Sequence, residues 1–320
     1  MSILGRLLRN IFAASPPARE SERAELAQRV GEIERGLATM IKLGLYMRVA
    51  REVRQLLADP RYAAPRRLER HGRKVWSQND EDGILEEIFR RIGTVSRGFV
   101  EFGVSDGREC NTLKLLVEGW RGLWMESSDR HCEHIRRVFA ARLEGGQLEL
   151  KQTNVTAENI DGLLTAARVA AAGELDLLSI DIDGNDYHVF KAIRSVRPRV
   201  LVIEYNGKFP PPMDVVQRYD PSHAWDGSDY VGASLQAIAN LAARCDYRLV
   251  GTNITGANAF FVRADLAADH FADGDAAALY NPARYWLTPG FVSGHVPSRT
   301  QFGYLSDAAL EEASRNIRQE

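Results

Sequence analysis

The sequence predicts an α/β protein whose sheet is mainly parallel and carries helices on both faces. Between residues 98 and 262, short apolar segments typical of strands alternate with amphipathic segments typical of helices. Strand–helix–strand units of this kind form parallel sheets through right-handed crossovers. The last two strands, at 247–252 and 258–262, are joined by a turn too short for a crossover. We therefore expect the sheet to end in an antiparallel hairpin.

Length and composition limit the class of protein. The 320 residues are enough for one large domain and an extension. The 41 basic residues are balanced by 43 acidic ones, so we expect no nucleic-acid partner. The three cysteines are widely spaced, which argues against a disulfide framework or a metal-binding cysteine pair and favours a reducing, cytoplasmic location. No apolar segment approaches the roughly 20 residues that span a bilayer.

The chain is predicted to divide into four parts. Residues 1–59 form a helical extension, and residues 60–74 form a basic, proline-containing linker with solvated charges. Residues 75–270 form the globular domain, and residues 271–320 form a C-terminal extension that acts as a lid or a subunit contact. The apolar, arginine-bearing start at Met1–Phe12 predicts either weak contact with a membrane surface or a helix packed on a partner.

The long N-terminal helix, predicted over Arg19–Asp59, carries a coiled-coil seam. Apolar residues recur at alternating spacings of four and three over about two heptads: Leu26, Val30, Ile33, Leu37 and Met40. Two explanations fit this seam. One is a homo-oligomer, which we expect, and the other is packing on the chain's own domain.

The globular domain is predicted to begin with a helix that the segment Ser77–Gly83, SQNDEDG, caps. Strands are then expected at residues 98–103, 122–127, 147–152, 175–181, 199–205, 247–252 and 258–262. Helices are expected at residues 109–119, 129–143, 157–172, 185–196 and 232–244.

The first strand and its turn, Phe99–Asn111, form the most informative segment, FVEFGVSDGRECN. Gly103 and Gly107 make a tight turn into the following helix, which lets backbone N–H groups approach a nucleotide-like ligand. The second strand ends at Glu126, 19 positions after Gly107. An acid at this place in a Rossmann-type fold binds the hydroxyl groups of a ribose.

The carboxyl ends of the parallel strands meet at one edge of the sheet, where ligands of open α/β sheets bind. Every strand end is polar and five of these residues are acids: Glu101, Glu126, Asn154, Asp181, Asp183, Glu204 and Asn206. So many carboxylates in one crevice require a cation or a bound ligand to offset their repulsion. The amide of Asn154 suits the edge of an adenine ring and Val155 suits its face, or else Asn154 caps the next helix.

Three strand-end residues predict a divalent cation site. Asp181, Glu204 and Asn206 offer oxygen ligands suited to Mg²⁺ or Mn²⁺, which would lower the pKa of a substrate hydroxyl. The alternative is that Glu204 and Asn206 only hydrogen-bond loop amides. The pattern DIDGND at residues 181–186 lacks the glutamate and the flanking helices of a calcium loop, and Asp186 is explained as an acid in a helix's first turn.

Candidates for a general base are Asp183, His188 and His223, and the catalytic set assigned here is Asp181, Asp183 and His188. The loop at residues 207–230 is rich in proline and aromatic residues. A loop of this length is typical of a lid, and its aromatic side chains offer a stacking surface for an acceptor ring.

Five motifs, in this order, resemble the FkbM-type methyltransferases: SQNDEDG, FVEFGVSDGRECNT, GLWMES, LLSIDIDGNDYHV and VLVIEYN. The resemblance covers Val75–Leu266 and implies a Rossmann-like class I methyltransferase sheet of seven strands. It also implies S-adenosylmethionine as methyl donor and a hydroxyl of a sugar, glycoconjugate or related small molecule as acceptor. The implied donor site comprises Glu101, Gly103, Ser105, Gly107, Glu126 and Asn154, together with the neighbours Ser127 and Val155.

A weaker likeness is to metal-dependent catechol and sugar O-methyltransferases, whose metal ligands map onto Asp181, Glu204 and Asn206. Tyr205 separates an acid and an amide that are adjacent in the catechol type, and Gly184 stands where those enzymes carry their catalytic lysine or histidine. The base is therefore left open by this likeness.

Two other functions remain as alternatives. One is a non-catalytic scaffold that recruits partners in a glycan assembly complex through its N-terminal helices. The other is an NAD-dependent oxidoreductase. The oxidoreductase is disfavoured because a dinucleotide fingerprint that opens at Gly103 needs glycines where Ser105 and Arg108 stand.

Overall fold

The computed structural model describes residues 20–171, 173–288 and 304–306. The chain divides into two compact units, Met1–Glu52 and Val53–Glu320. The first unit supplies most of α1, a 38-residue helix over Glu20–Leu57. The predicted long N-terminal helix is thus confirmed, whereas the predicted membrane contact at Met1–Phe12 lies outside the described residues.

The second unit is built on a seven-stranded sheet. Its strands are β1 (Gly98–Phe102), β2 (Arg121–Glu126), β3 (Leu148–Gln152), β4 (Leu177–Ile180), β5 (Val200–Glu204), β7 (Tyr247–Thr252) and β8 (Asn258–Arg263), while β6 (Val216–Gln217) pairs with β9 (Tyr304–Leu305) in a separate two-stranded sheet. The order is β3-β2-β1-β4-β5-β8-β7, and only the pairings of β8 with its two neighbours are antiparallel. The predicted seven-stranded sheet with a terminal antiparallel hairpin is confirmed.

Helices cover both faces of this sheet. They are α2 (Glu81–Ile92), α3 (Leu113–Val117), α4 (Asp129–Val138), α5 (Ala140–Glu144), α6 (Ile160–Thr165), α7 (Arg168–Ala171), α8 (Asp186–Ala192), α9 (Leu235–Arg244), α10 (Ala264–Ala267) and α11 (Ala276–Leu279). Within the described chain, no helix is both long enough and apolar enough to cross a bilayer.

The core consists of two apolar layers, one on each face of the sheet, because successive strand residues point to opposite faces. In β1, Phe99 belongs to one layer, and Val100 and Phe102 belong to the other. All five residues of β1 are buried, as expected for a central parallel strand covered on both sides.

The segment 60–74, predicted as a linker, contributes to the folded second unit. Tyr62 and Leu68 are buried, and the side chains of Arg67 and Glu69 form a buried ion pair. Arg67 also donates to the carbonyl oxygen of Ala278 at 2.9 Å. The expectation that the charges of this segment are solvated is therefore wrong for Arg67 and Glu69.

Two predicted helices are interrupted where an aromatic or small residue is needed in the core. The helix expected over 129–143 breaks at Phe139, whose ring packs edge-on against Trp124 with centroids 5.0 Å apart. The helix expected over 157–172 divides into α6 and α7 around Ala167, which is buried. In both places, packing against the sheet overrides the helical preference of the segment.

Candidate active site

A cavity of about 730 Å³ opens at the carboxyl ends of β1, β4 and β5, beside the turn between β7 and β8. This is the edge at which the sequence predicts a ligand. Seven of the predicted site residues line it: Glu101, Gly103, Ser105, Asp181, Asp183, Glu204 and Asn206. The other predicted residues, all within the described part of the chain, do not line it: Gly107, Glu126, Ser127, Asn154, Val155 and His188.

Glu101 anchors the segment that follows the glycine turn. Its buried carboxylate accepts hydrogen bonds from the backbone N–H groups of Asn111 (2.8 Å) and Thr112 (3.0 Å) and from the hydroxyl of Thr112 (2.5 Å). Burial raises the pKa of Glu101, whereas these hydrogen bonds oppose the rise. The carboxylate therefore holds the start of α3 against β1, and this role explains why α3 begins at Leu113 instead of at Glu109.

The turn after β1 can only be built with glycine at Gly103. Its φ is +78°, and a Cβ atom there would lie 1.5 Å from the carbonyl oxygen of Asp181. The backbones that follow β1 and β4 thus approach each other so closely that no side chain fits between Gly103 and Asp181. Gly107 serves packing instead, because a Cβ there would lie 2.8 Å from the ring of Trp124.

Glu126 lies at the end of β2, as predicted, but both of its oxygens bind backbone groups. One accepts from the N–H of Ser105 at 2.8 Å and the other from the N–H of Ser128 at 2.9 Å. Ser105 adopts a left-handed conformation, with φ of +52°, to make the first contact. Glu126 therefore connects the turn after β1 to the turn after β2, and Ser127 is exposed between these partners.

The loop 207–230 lies against the predicted adenine-binding residues. The side-chain amide of Asn154 donates to the carbonyl oxygen of Pro221 at 3.2 Å, and that of Asn185 donates to Asp220 at 2.8 Å. The Nε2 atom of His223 lies 3.2 Å from the carbonyl oxygen of Asp183. Val155 is buried in the core cluster. The loop is therefore in contact with the ends of both β3 and β4.

Three carboxylates meet at the centre of the cavity edge. One oxygen each from Asp181, Asp183 and Glu204 lies within 4.8 Å of the others. Within the described residues, no hydrogen-bond donor reaches any of these carboxylates. Asp183 also has a left-handed backbone, with φ of +54°, next to Gly184 at +158°. One member of the cluster, Asp183, is thus held in an uncommon conformation, which is a feature of functional sites.

The carboxyl groups of this cluster resist ionisation. Burial, reinforced by the charges of the neighbouring acids, raises the pKa of Asp181 and of Glu204 well above their usual values. Burial and the charge of Asp186 raise the pKa of Asp183 to about 6, although His223 acts in the opposite direction. Carboxylates with raised pKa values in one crevice favour a cationic ligand.

Two predicted residues have other contacts in the structure. Asn206 lines the cavity, but its side-chain amide group donates to the carbonyl oxygens of Asp229 (3.1 Å) and Val231 (3.0 Å), and its oxygen accepts from the N–H of Lys208 (3.1 Å). This is the loop-binding alternative stated above. His188 binds the carbonyl oxygen of Gln217 at 2.7 Å through Nε2 and packs near the ring of Tyr219. The structure thus does not bring His188 to the acids.

Comparison with known protein families decides the class. Residues 91–249 match the family described as the methyltransferase FkbM domain. These residues are a methyltransferase FkbM domain. The resemblance in the sequence is thereby confirmed, and the strand order gives the FkbM domain the predicted class I methyltransferase fold. No curated protein matches the chain significantly.

Solved structures with a similar fold are distant in sequence. An O-methyltransferase family protein from Burkholderia thailandensis has 13% identity and a TM-score of 0.36, and the match covers 57% of each chain. An O-methyltransferase from Bacillus cereus in complex with SAH has 15% identity and a TM-score of 0.36, over 68% of this chain and 89% of that one. An SAH-bound methyltransferase from Podospora anserina has 14% identity and a TM-score of 0.36, over 56% and 76%.

Several residues at this cavity were not predicted as individual site residues, although the loop 207–230, which contains Trp225, was predicted to offer a stacking surface for an acceptor ring. Gln78 and Asn79 come from the loop before α2, Asn258 from the start of β8, and Trp225 and Tyr285 from the loops around the opening. Both Gln78 and Asn79 belong to the motif SQNDEDG, which predicts a helix cap and resembles the FkbM family, so this motif could have indicated them as site residues. Here Asp82 caps the loop, accepting from the N–H groups of Val75, Trp76 and Ser77.

Glu81 connects this motif to the terminal hairpin. Its Oε1 accepts from the side-chain amides of Asn253 (2.8 Å) and Asn258 (2.9 Å), and its Oε2 accepts from the N–H of Asn79 (2.9 Å). Asn258 pairs with Glu204 across β5 and β8, and its own side-chain oxygen is buried without a hydrogen-bond partner. Glu81 therefore fixes the wall of the cavity next to the acid cluster.

Proposed function

We propose that the FkbM domain transfers the methyl group of S-adenosylmethionine to a hydroxyl of a sugar, a glycoconjugate or a related natural product. The observation that carries this proposal is the acidic cavity at the carboxyl ends of β1, β4 and β5. The donor is a cation at sulfur, and its demethylated product is not. A cavity that concentrates carboxylates therefore favours the donor over the product.

Gly103 supports a donor site, because it lines the cavity and has no side chain. A nucleotide-like ligand can therefore approach its backbone closely. Glu126 is the predicted ribose ligand. Because its oxygens already accept from Ser105 and Ser128, a ribose hydroxyl would share or replace one of these contacts. Binding of the donor is then coupled to the turn after β1.

The acceptor side of the proposal rests on the remaining wall of the cavity. Trp225 and Tyr285 present aromatic side chains there, and Gln78 and Asn79 contribute amides. Aromatic faces pack against the C–H groups of a sugar ring, while amides hydrogen-bond its hydroxyls. This combination favours a polar, ring-containing acceptor.

The chemistry requires positioning and a place for one proton. When bound, S-adenosylmethionine supplies a methyl group attached to a positively charged sulfur. The acceptor oxygen takes this methyl group, the C–S bonding electrons stay on sulfur, and the hydroxyl proton passes to a carboxylate oxygen of Asp183. In-line placement of the oxygen supplies much of the rate. Asp183 has the most solvent-exposed side chain of the acid cluster, although surrounding protein partly desolvates its carboxyl group, and it is therefore the member accessible to an acceptor.

A divalent cation also fits these residues. Asp181, Asp183 and Glu204 offer three hard oxygen ligands, which is the type of site that Mg²⁺ and Mn²⁺ prefer. Such an ion would lower the pKa of an acceptor hydroxyl. Compared with the set predicted from sequence, Asp183 here takes the place of Asn206.

Two alternatives differ in what they bind. A non-catalytic scaffold would keep the fold without binding the donor. An NAD-dependent oxidoreductase would bind NADH, which is disfavoured by the side chains of Ser105 and Arg108 in the turn.

Calorimetric titration of the full chain with S-adenosylhomocysteine, with NADH as comparison ligand, tests the proposal. We expect S-adenosylhomocysteine to bind and NADH not to bind. The Glu126→Ala variant should bind at least about tenfold more weakly, since it loses the ribose contact and the Ser105 anchor. Glu133→Ala, which removes an exposed carboxylate from α4, is the matched control and should bind normally.

Each outcome assigns a function class. Binding of NADH would replace the proposal with the oxidoreductase, and binding of neither ligand would favour the scaffold. Where the nucleoside binds, methyl transfer to sugar hydroxyls is measured next with labelled donor. Transfer to a nitrogen or carbon atom instead of an oxygen would contradict the O-methyltransferase assignment.

A further inference from the structure

Helix α1 carries an unusual concentration of exposed apolar side chains. Of the seventeen large apolar side chains that are exposed in the described residues, nine lie between Leu26 and Met47. Ile33, Leu37 and Met40 are 69%, 57% and 72% exposed. A contiguous apolar surface of this kind marks an interaction site.

Five of the nine exposed residues fall at the a and d positions of a heptad pattern: Leu26, Ile33, Leu37, Met40 and Met47. In one heptad frame, the a positions are Val30, Leu37 and Gly44, and the d positions are Leu26, Ile33, Met40 and Met47. The seam thus continues through Gly44 to Met47, one heptad beyond its predicted end at Met40, within one uninterrupted helix. The mean spacing of 3.5 residues between the a and d positions is that of a coiled-coil seam.

We propose that α1 pairs with α1 of a second copy of this chain as a parallel, in-register, two-stranded coiled coil. Charge complementarity favours this occupant and this direction. Arg29 occupies a g position and Glu34 the next e position. In a parallel, in-register pair, each Arg29 faces the Glu34 of the other copy, which gives two oppositely charged pairs beside the seam.

The C-terminal part of the seam is wider than the rest. Ile41 at e and Leu43 at g are 56% and 58% exposed and flank Gly44. Glycine at an a position leaves room beneath these two side chains, so they add apolar contact where the seam itself contributes none. The interface is therefore apolar around residues 40–47 and charged around residues 29–34.

The mass of the full chain in solution tests pairing, measured by light scattering and sedimentation equilibrium. We expect twice the 35.8 kDa of one chain. Leu37→Lys buries a charge at an a position and should convert the dimer to monomer at micromolar concentration. Leu45→Lys is the matched control, because it makes the same substitution at an exposed b position and should remain dimeric. Both side chains are exposed in the single chain, so neither variant should fail to fold.

The direction is tested with charge exchange. Arg29→Glu and Glu34→Arg each place like charges opposite one another and should each weaken the dimer about three- to tenfold. The double variant restores opposite charges in a parallel pair and should recover the wild-type dissociation constant. In an antiparallel pair the double variant would combine the two losses.

Four results would overturn the proposal. The first is a monomeric wild-type chain, which would mean that the apolar stripe packs on the chain's own domain. The second is a mass of three or more copies, and the third is a dimer that Leu37→Lys does not weaken. The fourth is a double charge variant that does not recover the wild-type dissociation constant. None of these measurements depends on donor binding or on methyl transfer.

Discussion

Close approach of two backbones determines the residue at Gly103. Replacing it by alanine would place Cβ 1.5 Å from the carbonyl oxygen of Asp181 and would also force alanine to a φ of +78°. We expect Gly103→Ala to lower the free energy of unfolding by about 2–4 kcal/mol, since backbone atoms cannot move aside as a flexible side chain can. Urea denaturation monitored by tryptophan fluorescence measures the loss.

A second glycine, Gly119, allows the cost of a positive φ to be measured separately from the cost of a steric clash. Gly119 has a φ of +91°, but a Cβ there meets no atom within 4 Å. Gly119→Ala should therefore lose only the conformational part, about 1 kcal/mol. Equal losses at both positions would show that the approach to Asp181 is looser than described here.

Residues at the cavity differ in how far the sequence could predict them. Asp181, Asp183 and Glu204 were predictable because each lies at or just beyond the end of an apolar strand, and parallel strands bring their carboxyl ends together. Asn258 was not predictable, because its contact with Glu81 joins positions 177 residues apart. Interactions of this range leave no periodic signal in the sequence.

At the scale of the element, helix boundaries were the weakest predictions. The helix expected from residue 109 begins at Leu113, because Glu101 on β1 takes the N–H groups of Asn111 and Thr112. The cap comes from another element, so the local pattern of apolar residues extends beyond the helix it forms. Strand positions agreed better, since a buried strand is a short apolar segment bounded by polar residues.

Helix α2 contains, one turn before its last turn, an acid whose ionisation stabilises the fold. Hydrogen bonds from Arg90 (2.6 Å) and Arg91 (2.7 Å) lower the pKa of Glu87 to about 2, against the opposing effect of burial. A depressed folded-state pKa means that stability is present above the ordinary pKa near 4.5 and is lost as the pH falls through about 2.

We expect Glu87→Gln to lower the free energy of unfolding at pH 7 by about 1–2 kcal/mol, after allowance for the exposure of Arg90. The difference from wild type should shrink as the pH is lowered from about 4.5 to about 2. Urea denaturation at a series of pH values measures it, with Glu133→Gln on α4 as the exposed control. A difference independent of pH would mean that Glu87 acts through packing and not through its charge.

At the scale of the whole molecule, the order of elements carried more information than any single motif. Alternating strands and helices, closed by a hairpin with a short turn, determine the topology that the structure adopts. The same topology concentrates the carboxylates at one edge of the sheet. What the topology leaves open is the role of each carboxylate, because Asp183 and Asn206 are both near the end of a strand and only their local contacts distinguish them.

Whether Asp183 or Asn206 serves as a metal ligand can be tested through the stability of the whole protein. If the cluster holds a cation, MgCl₂ or MnCl₂ should stabilise the folded chain by about 2.7 kcal/mol at a hundred times the dissociation constant, relative to EDTA. We expect Glu204→Gln and Asp183→Asn to lose most of this gain, because each removes a charged oxygen ligand.

Thermal unfolding without methyl donor measures the effect, so the result does not depend on activity. Glu133→Gln controls for general charge effects and should retain the full gain. If Asp183 is the third ligand, the Asn206→Ala variant should also retain most of the stabilisation by metal. If instead Asn206→Ala loses this stabilisation and Asp183→Asn keeps it, the ligand set predicted from the sequence would be restored. No stabilisation of the wild-type chain by either metal would mean that the acids serve the positively charged donor and the acceptor proton alone.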